Sequence, residues 1–273
     1  MNKEILIDKL AREHSLTSDE YGVLIESATP SLADYAAAAA DKLRRKYYGT
    51  DVYIRGLIEV GNICRNDCLY CGIRASNKHC DRYLLTEEQI AECCREGYRL
   101  GFRTFVLQGG EGAFPIDAVC SVVSEIRKSY QDCAITLSLG EYPRDDYKRM
   151  FDSGADRYLL RHETADKDHY KKLHPSSMSF ENRRRCLYDL RDIGFQVGCG
   201  FMVGSPFQTV ETLVKDLKFI EEFKPDMCGI GPFIPHKDTP FYGYPPGSAS
   251  LTVFLLSLIR LIKPNILLPA TTA

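Results

Sequence analysis

The sequence predicts an α/β protein that folds as a TIM-type (β/α) barrel, with seven of eight strands encoded and a helical extension at the N-terminus. Seven short apolar runs with small residues alternate with amphipathic helical stretches, as expected for parallel strands buried on both faces. Polar side chains end three of the runs, where a barrel builds its active site, namely Glu111, Ser138 and Glu163. A doubly wound open sheet is the alternative.

Composition limits the class of protein. The 273 residues carry 35 Lys and Arg against 37 Asp and Glu, so a net charge of -2 gives no field that would attract nucleic acid or anionic lipid. The charged N-terminus has no apolar signal segment, and no run reaches the roughly 18 apolar residues of a membrane span. We therefore expect a cytoplasmic protein whose 11 cysteines are free thiols or ligands.

The N-terminal extension, residues 1–50, is predicted to contain three helices. They cover residues 4–16, 18–28 and 31–49, with Ser31 as the N-cap of the third helix and Gly49 at its end. Residues 51–273 then form the barrel core.

The predicted strands of the core follow one another at intervals typical of β/α units. A helix beginning after Thr86 and another ending at Gly194 illustrate the helical stretches between them. Because the chain ends directly after the seventh strand, we expect the core to be incomplete at its C-terminus and the chain to be a fragment of a longer gene product. The alternative is a divergent protein that closes its barrel in another way. The strands are predicted at residues 55–62, 104–110, 134–140, 157–163, 196–204, 227–235 and 265–272.

A loop of three cysteines, CRNDCLYC, follows the first strand and contains Cys64, Cys68 and Cys71. Three buried thiols that only pack are one interpretation. A structural zinc ion is a second, which would take a fourth ligand from His79 or Cys80. The third is a [4Fe-4S] cluster that leaves one iron without a protein ligand, as catalytic metal sites leave a position open for a small molecule.

The spacing CxxxCxxC, with Tyr70 directly before the third cysteine, resembles the signature of the radical S-adenosylmethionine (SAM) superfamily. The resemblance implies a [4Fe-4S] cluster whose open iron binds SAM, and reductive cleavage of SAM to a 5′-deoxyadenosyl radical. Gly109, Gly110 and Glu111 resemble the superfamily's GGE motif, which implies that they lie near the methionyl amino group.

Several longer stretches resemble the HydE family of [FeFe]-hydrogenase maturases, among them RNDCLYCGIRASNK, TLSLGEYPRDDY, RYLLRHETA, SFENRRRCL and GIGPFIPHKDTP. This resemblance implies a radical enzyme that helps to assemble the dithiomethylamine bridge of the di-iron hydrogenase cofactor. Its substrate would be a small iron complex of cysteine or an amino-acid derivative. Its partners would be other hydrogenase maturases and a reductant such as ferredoxin or flavodoxin.

The same resemblance implies roles for individual residues. Those implied to bind SAM are Tyr70, Gly109, Gly110, Glu111, Ser138, Glu163 and Arg183, and those implied to bind the substrate are Gln108, Thr136, Arg161, Thr271 and Thr272. The chain departs from the family's usual SGED at Gly109 and Gly112, so cofactor contacts in that loop are expected to differ.

Three of these side chains also have structural interpretations, and so does His162, which lies between two of them. Arg161 and Glu163 lie two apart on a predicted strand, so both should point to one face, where they could form a structural ion pair instead of binding ligands. His162 should point to the opposite face as a structural hydrogen-bonding histidine. Arg183, on a helix, could be a solvated charge.

Other functions remain open from the sequence. The chain could be a related radical SAM enzyme of the biotin synthase or methylornithine synthase type. It could also be an iron–sulfur electron carrier, or an inactive fragment that only binds a cluster.

Overall fold

The computed structural model describes residues 3–270, and its central feature is a six-stranded parallel sheet. The strands follow chain order across the sheet, β1-β2-β3-β4-β5-β7. A doubly wound sheet would reverse its order at a switch point, so the order confirms the predicted barrel arrangement. The strands are β1 Gly56–Gly61, β2 Thr104–Gly109, β3 Ala134–Ser138, β4 Arg157–Leu159, β5 Gln196–Cys199, β6 Met202–Val203, β7 Met227–Cys228 and β8 Gly231–Pro232.

Two predicted strands are each divided into two pieces. The run 196–204 forms β5 and β6, and the run 227–235 forms β7 and β8, with β6 and β8 paired as a separate two-stranded parallel sheet. The breaks lie where the backbones touch, since a Cβ atom on Gly200 would be 1.9 Å from the carbonyl oxygen of Gly229. Glycine at such a close approach bends a strand and leaves no side chain to pack.

The seventh predicted strand, 265–272, is much shorter in the described residues. Leu267 forms a single parallel bridge with Met227, and the Leu267 carbonyl accepts a hydrogen bond of 2.9 Å from the Cys228 amide. Thr271 and Thr272 lie outside the described residues.

Helices separate the strands as predicted. The Thr86 hydroxyl caps the helix Glu87–Arg99 (α4) in a reciprocal capping box with Gln89, and Gly194 ends the helix Phe180–Ile193 (α8) with φ +116°. Within residues 3–270, no helix is both long and apolar enough to cross a membrane. The barrel helices are α4 Glu87–Arg99, α5 Ile116–Ser129, α6 Arg144–Asp152, α7 Lys167–Leu173, α8 Phe180–Ile193, α9 Val210–Phe223 and α10 Ala249–Ile262.

Three helices precede the sheet: α1 Glu4–Glu13, α2 Ser18–Glu26 and α3 Pro30–Tyr48. Ser31 was predicted to be the N-cap of α3, and this prediction is wrong. Pro30 occupies the first turn of the helix, and the hydroxyl of the N-cap residue Thr29 accepts a hydrogen bond from the Leu32 amide. The helices α2 and α3 pack on α9 and α10 and share their apolar core with the barrel. A domain boundary at residue 50 stays a prediction.

Candidate active site

The cysteine loop leaves the C-terminal end of β1 and donates backbone hydrogen bonds to the loop after β2 and to the last residue of α7. The Arg65 amide donates to the Glu111 carbonyl at 2.9 Å, and the Leu69 amide donates to the Leu173 carbonyl at 3.0 Å. Cys64, Cys68 and Cys71 are free and half-buried. Their anchored backbone lies where a parallel barrel places its active site.

Burial acts strongly on two of these thiols. It raises the pKa of Cys68 to about 12 and raises the pKa of Cys71 as well. Neighbouring charges also act on Cys68, and these include the other two loop cysteines, Arg183 and Glu163. Thiolates in such a place need the positive charge of bound metal, so the donor set suits an iron–sulfur cluster.

The residues offered for a structural zinc site lie apart from this arrangement. Cys80 accepts a hydrogen bond from the Asn62 amide group at 3.5 Å, and His79 is exposed. Among residues 3–270, no three His, Cys, Asp or Glu side chains converge as a group that could hold one metal ion. The three-cysteine loop thus differs from a closed tetrahedral zinc site, whose ligands surround one ion.

Tyr70 is fixed by a histidine from the end of α7. Its hydroxyl lies 3.0 Å from His174 Nε2, and His174 Nδ1 lies 2.9 Å from the carbonyl oxygen of Tyr170. Burial lowers the pKa of His174 to about 3, so the ring is neutral. Because the carbonyl can only accept, Nδ1 carries the proton and the Tyr70 hydroxyl donates to Nε2.

The loop after β2 packs directly on the cysteine loop. A Cβ atom on Gly110 would lie 2.0 Å from the Ile63 carbonyl oxygen, and the Gly110 amide donates to the Gly61 carbonyl at 3.0 Å. Glycine is therefore required at Gly110 for backbone packing. The Glu111 carboxylate is buried and pairs with Arg65 at 2.9 Å. Contacts of Gly109, Gly110 and Glu111 with SAM stay predictions.

Arg183 is buried on α8 and is not a solvated helix charge. Its Nε lies 2.6 Å from Glu141 Oε1, and its Nη2 lies 3.8 Å from Glu111 Oε2. The sequence analysis did not select Glu141. Like Ser138, which it did select, Glu141 is a polar residue in the stretch LSLGEYP at the C-terminal end of β3. Arg183 Nε and Glu141 Oε1 form this ion pair without the alignment of a hydrogen bond.

Arg161 and Glu163 meet, but not as neighbours on one strand. β4 ends at Leu159, and Glu163 adopts a left-handed backbone with φ +66°. The two charged groups lie 3.4 Å apart, Nη2 to Oε2, without the alignment of a hydrogen bond. The prediction of two residues on a continuous strand is thus wrong, because the chain leaves the strand after three residues.

Buried polar atoms without a hydrogen-bond partner occur in this pair and on β3. Within residues 3–270, the buried atoms without a hydrogen-bond partner include Thr136 Oγ1, Arg161 Nε and Nη2, and Glu163 Oε2. A buried polar atom is normally hydrogen-bonded, and leaving one unpaired costs about 1–3 kcal/mol. Bound ligand groups would satisfy these atoms, and a guanidinium with a hydroxyl suits a carboxylate.

Two more of the predicted residues lie near the same end of the sheet. Gln108 and Ser138 are paired in register at the ends of β2 and β3. His236, whose ring packs against Gly72, lies beside the cysteine loop. Thr271 and Thr272 fall outside the described residues, and their contacts with the substrate stay predictions.

His162 has the structural role that was predicted for it. Its Nε2 lies 3.2 Å from Asp216 Oδ1, and its Nδ1 accepts from the Gly200 amide at 3.3 Å. Burial lowers the pKa of His162 to about 3. Five further cysteines are buried in the core: Cys94, Cys133, Cys186, Cys199 and Cys228.

This fold and site define a radical SAM protein, and the chain belongs to the radical SAM superfamily, whose family profile matches residues 58–220. Enzymes of this superfamily bind a [4Fe-4S] cluster and SAM. Within it, the chain is 48% identical over 235 residues to the [FeFe] hydrogenase maturase subunit HydE of Thermotoga maritima. That alignment covers 86% of this chain and 67% of the relative.

Two further relatives are more distant. The 3-methylornithine synthase of Methanosarcina acetivorans is 25% identical over 266 residues, covering 97% of this chain and 75% of the relative. The crystal structure of methylornithine synthase (PylB) superposes with a TM-score of 0.88 at 26% identity, covering 97% of this chain and 78% of that chain.

Proposed function

We propose that this chain is a radical SAM enzyme of [FeFe]-hydrogenase maturation that acts on a small cysteine-derived iron complex. The observation that carries the proposal is the meeting of three groups at one end of the sheet: the cysteine loop, the buried pair Arg183 and Glu141, and the Arg161 guanidinium, whose Nε and Nη2 atoms make no hydrogen bond in the described chain. The identity to the hydrogenase maturase HydE supports the choice of pathway.

Each group has a separate task in this proposal. Cys64, Cys68 and Cys71 hold the cluster, which supplies the electron for reductive cleavage of SAM. Arg183 pairs with the carboxylate of SAM, while Glu163, with Glu111 and the loop glycines, binds its polar groups. Tyr70, fixed by His174, closes one side of the site and excludes water from it.

Substrate binding is assigned to the next layer. Arg161 and Thr136 offer a planar fork and a hydroxyl to the substrate's carboxylate, and Gln108 lies on the neighbouring strand. Thr271 and Thr272 are assigned to the same carboxylate by resemblance alone. The enzyme would receive electrons from ferredoxin or flavodoxin and exchange substrate or product with other maturases. A cytoplasmic location would keep its thiols reduced.

Anaerobic reconstitution tests the enzyme class. The protein should take up ~4 iron per chain, and with dithionite and SAM it should release 5′-deoxyadenosine. Cys68→Ser should lose both properties. Cys93→Ala is the matched control, because Cys93 is exposed on α4 and should leave both unchanged. A purely electron-carrying protein would hold the cluster but release no 5′-deoxyadenosine.

A maturation assay tests the pathway. The protein should restore hydrogenase activity to a maturation mixture that lacks its HydE component, and Arg161→Lys should reduce that activity at least tenfold while leaving SAM binding intact. Lysine keeps the charge but not the bidentate fork. If SAM is cleaved but hydrogenase is never activated, a reaction of the methylornithine synthase type becomes the better proposal, as the similar fold of PylB allows.

A further inference from the structure

The backbone of Glu163 is held in an unfavourable conformation by its surroundings. A non-glycine residue in the left-handed region is strained, and it persists only where neighbouring contacts fix it. The Glu163 amide donates to the Gly200 carbonyl at 2.9 Å, which fixes one side of the residue. The contacts that fix the other side come from α9.

Asp216, on α9, is completely buried and contacts the chain on both sides of Glu163. Its Oδ1 accepts from the Ala165 amide at 2.5 Å and lies 3.2 Å from His162 Nε2. His162 in turn accepts from the Gly200 amide through Nδ1, so its Nε2 carries the proton and donates to Asp216. One carboxyl oxygen therefore joins residues 162 and 165 to the helix behind them.

We propose that Asp216 is a positioning residue that sets the direction of the Glu163 carboxylate toward SAM by holding residues 162–165 against α9. The inference rests on the proposed role of Glu163. Asp216 is assigned a positioning role and not a catalytic one, because its hydrogen bonds are to His162 and to the Ala165 amide.

The contacts of Asp216 need an acceptor oxygen more than a negative charge. Burial raises the pKa of Asp216 well above its ordinary value, which favours the neutral acid. Asparagine offers the same single acceptor oxygen in a neutral group of the same shape. It should therefore preserve both hydrogen bonds, whereas alanine removes them.

The test is a double-mutant cycle on the anaerobically reconstituted protein, with SAM affinity measured by equilibrium dialysis. Asp216→Ala should raise the Kd for SAM about tenfold, the order expected when support for a ligand-binding side chain is lost. Asp216→Asn should stay within about threefold of the unchanged protein. In a Glu163→Ala background, Asp216→Ala should change the Kd by less than about twofold, because the residue through which it acts is gone.

Controls separate this inference from a loss of folding. Lys218→Ala, two positions later on α9, should leave the Kd unchanged, because its ammonium group contacts Glu221 and the Leu16 carbonyl. If Asp216→Ala loses its iron or unfolds, His162→Gln replaces it, since it breaks the link between Gly200 and Asp216 and should weaken SAM binding in the same direction.

The outcomes distinguish two failures. If Glu163→Ala binds SAM as tightly as the unchanged protein, the proposed role of Glu163 fails and the inference with it. If Glu163→Ala weakens binding but a folded Asp216→Ala or His162→Gln does not, only the positioning role is overturned. The positioning role is also overturned if Asp216→Ala has its full effect in the Glu163→Ala background.

Discussion

Arg183 and Glu141 form a buried ion pair between α8 and the loop after β3, with 2.6 Å between Nε and Oε1. The side chains are about 10% exposed, so neither charge is well solvated. Glu111 is the other carboxylate near the guanidinium, at 3.8 Å. A buried charge in this setting depends on its partner, because transfer from water is costly.

Removing the partner of Arg183 should therefore destabilise the fold. We expect Glu141→Gln to lower the free energy of unfolding by about 3 kcal/mol, measured by denaturant unfolding under anaerobic conditions. Lys148→Ala, which breaks the exposed pair of Lys148 with Asp152, should cost less than about 0.5 kcal/mol. Equal effects of the two substitutions would contradict the importance of burial.

Gly110 should tolerate no side chain. In Gly110→Ala the new Cβ atom would meet the Ile63 carbonyl at 2.0 Å, so the cysteine loop must move. We expect a loss of at least about 2 kcal/mol of stability and a clear fall in bound iron after reconstitution.

Gly22→Ala is the control for that substitution. Gly22 lies within α2 with no atom within 4 Å of an added Cβ, so alanine should stabilise the protein by about 0.5–1 kcal/mol. An iron content that is normal in Gly110→Ala would contradict the predicted link between this glycine and the cysteine loop.

Thr136→Val should separate stability from function. The Thr136 hydroxyl is buried without a partner in the described chain, so replacing it with a methyl group should raise stability by about 1 kcal/mol while reducing hydrogenase maturation. Thr252→Val is the opposite case, because that buried hydroxyl donates to the Ser248 carbonyl at 2.8 Å. It should cost about 1 kcal/mol and leave maturation intact. A destabilised Thr136→Val would show that its hydroxyl already has a partner.

His174 should make the protein less stable in mild acid. Its folded pKa of about 3 lies below its ordinary value of 6.5, so between these values the unfolded chain binds the proton and the folded protein does not. The stabilisation is present above pH 6.5 and is lost as the pH falls, by about 1 kcal/mol between 6.5 and about 5.5.

His174→Gln should remove that part of the pH dependence from unfolding curves of the reconstituted protein. His79→Gln, at an exposed histidine, is the matched control. An unchanged slope in His174→Gln would mean that another group takes up the proton.

Much of the fold could be predicted from the sequence, because helix caps, helix ends and buried strands depend on residues close together in the chain. A hydroxyl at Thr86 caps its helix within three residues, Gly194 ends another within one turn, and buried strands appear as continuous apolar runs. The lengths of the strands were harder to predict from the sequence. Whether 196–204 is one strand or two depends on the contact of Gly200 with Gly229, which lies on a different run.

The candidate site, like the fold, could be predicted only in part from the sequence. The sequence by itself determined the class of protein, because the three cysteines that suit a cluster lie within eight residues and their spacing can be read directly from the sequence. Only the tertiary structure decided that Arg183 is buried against Glu141, that Glu163 takes a left-handed backbone, and that Asp216 accepts a hydrogen bond from the Ala165 amide. Those relationships join residues about 40 to 50 apart in the chain, and they exist only once the curvature of the sheet and the packing of its helices bring the segments together.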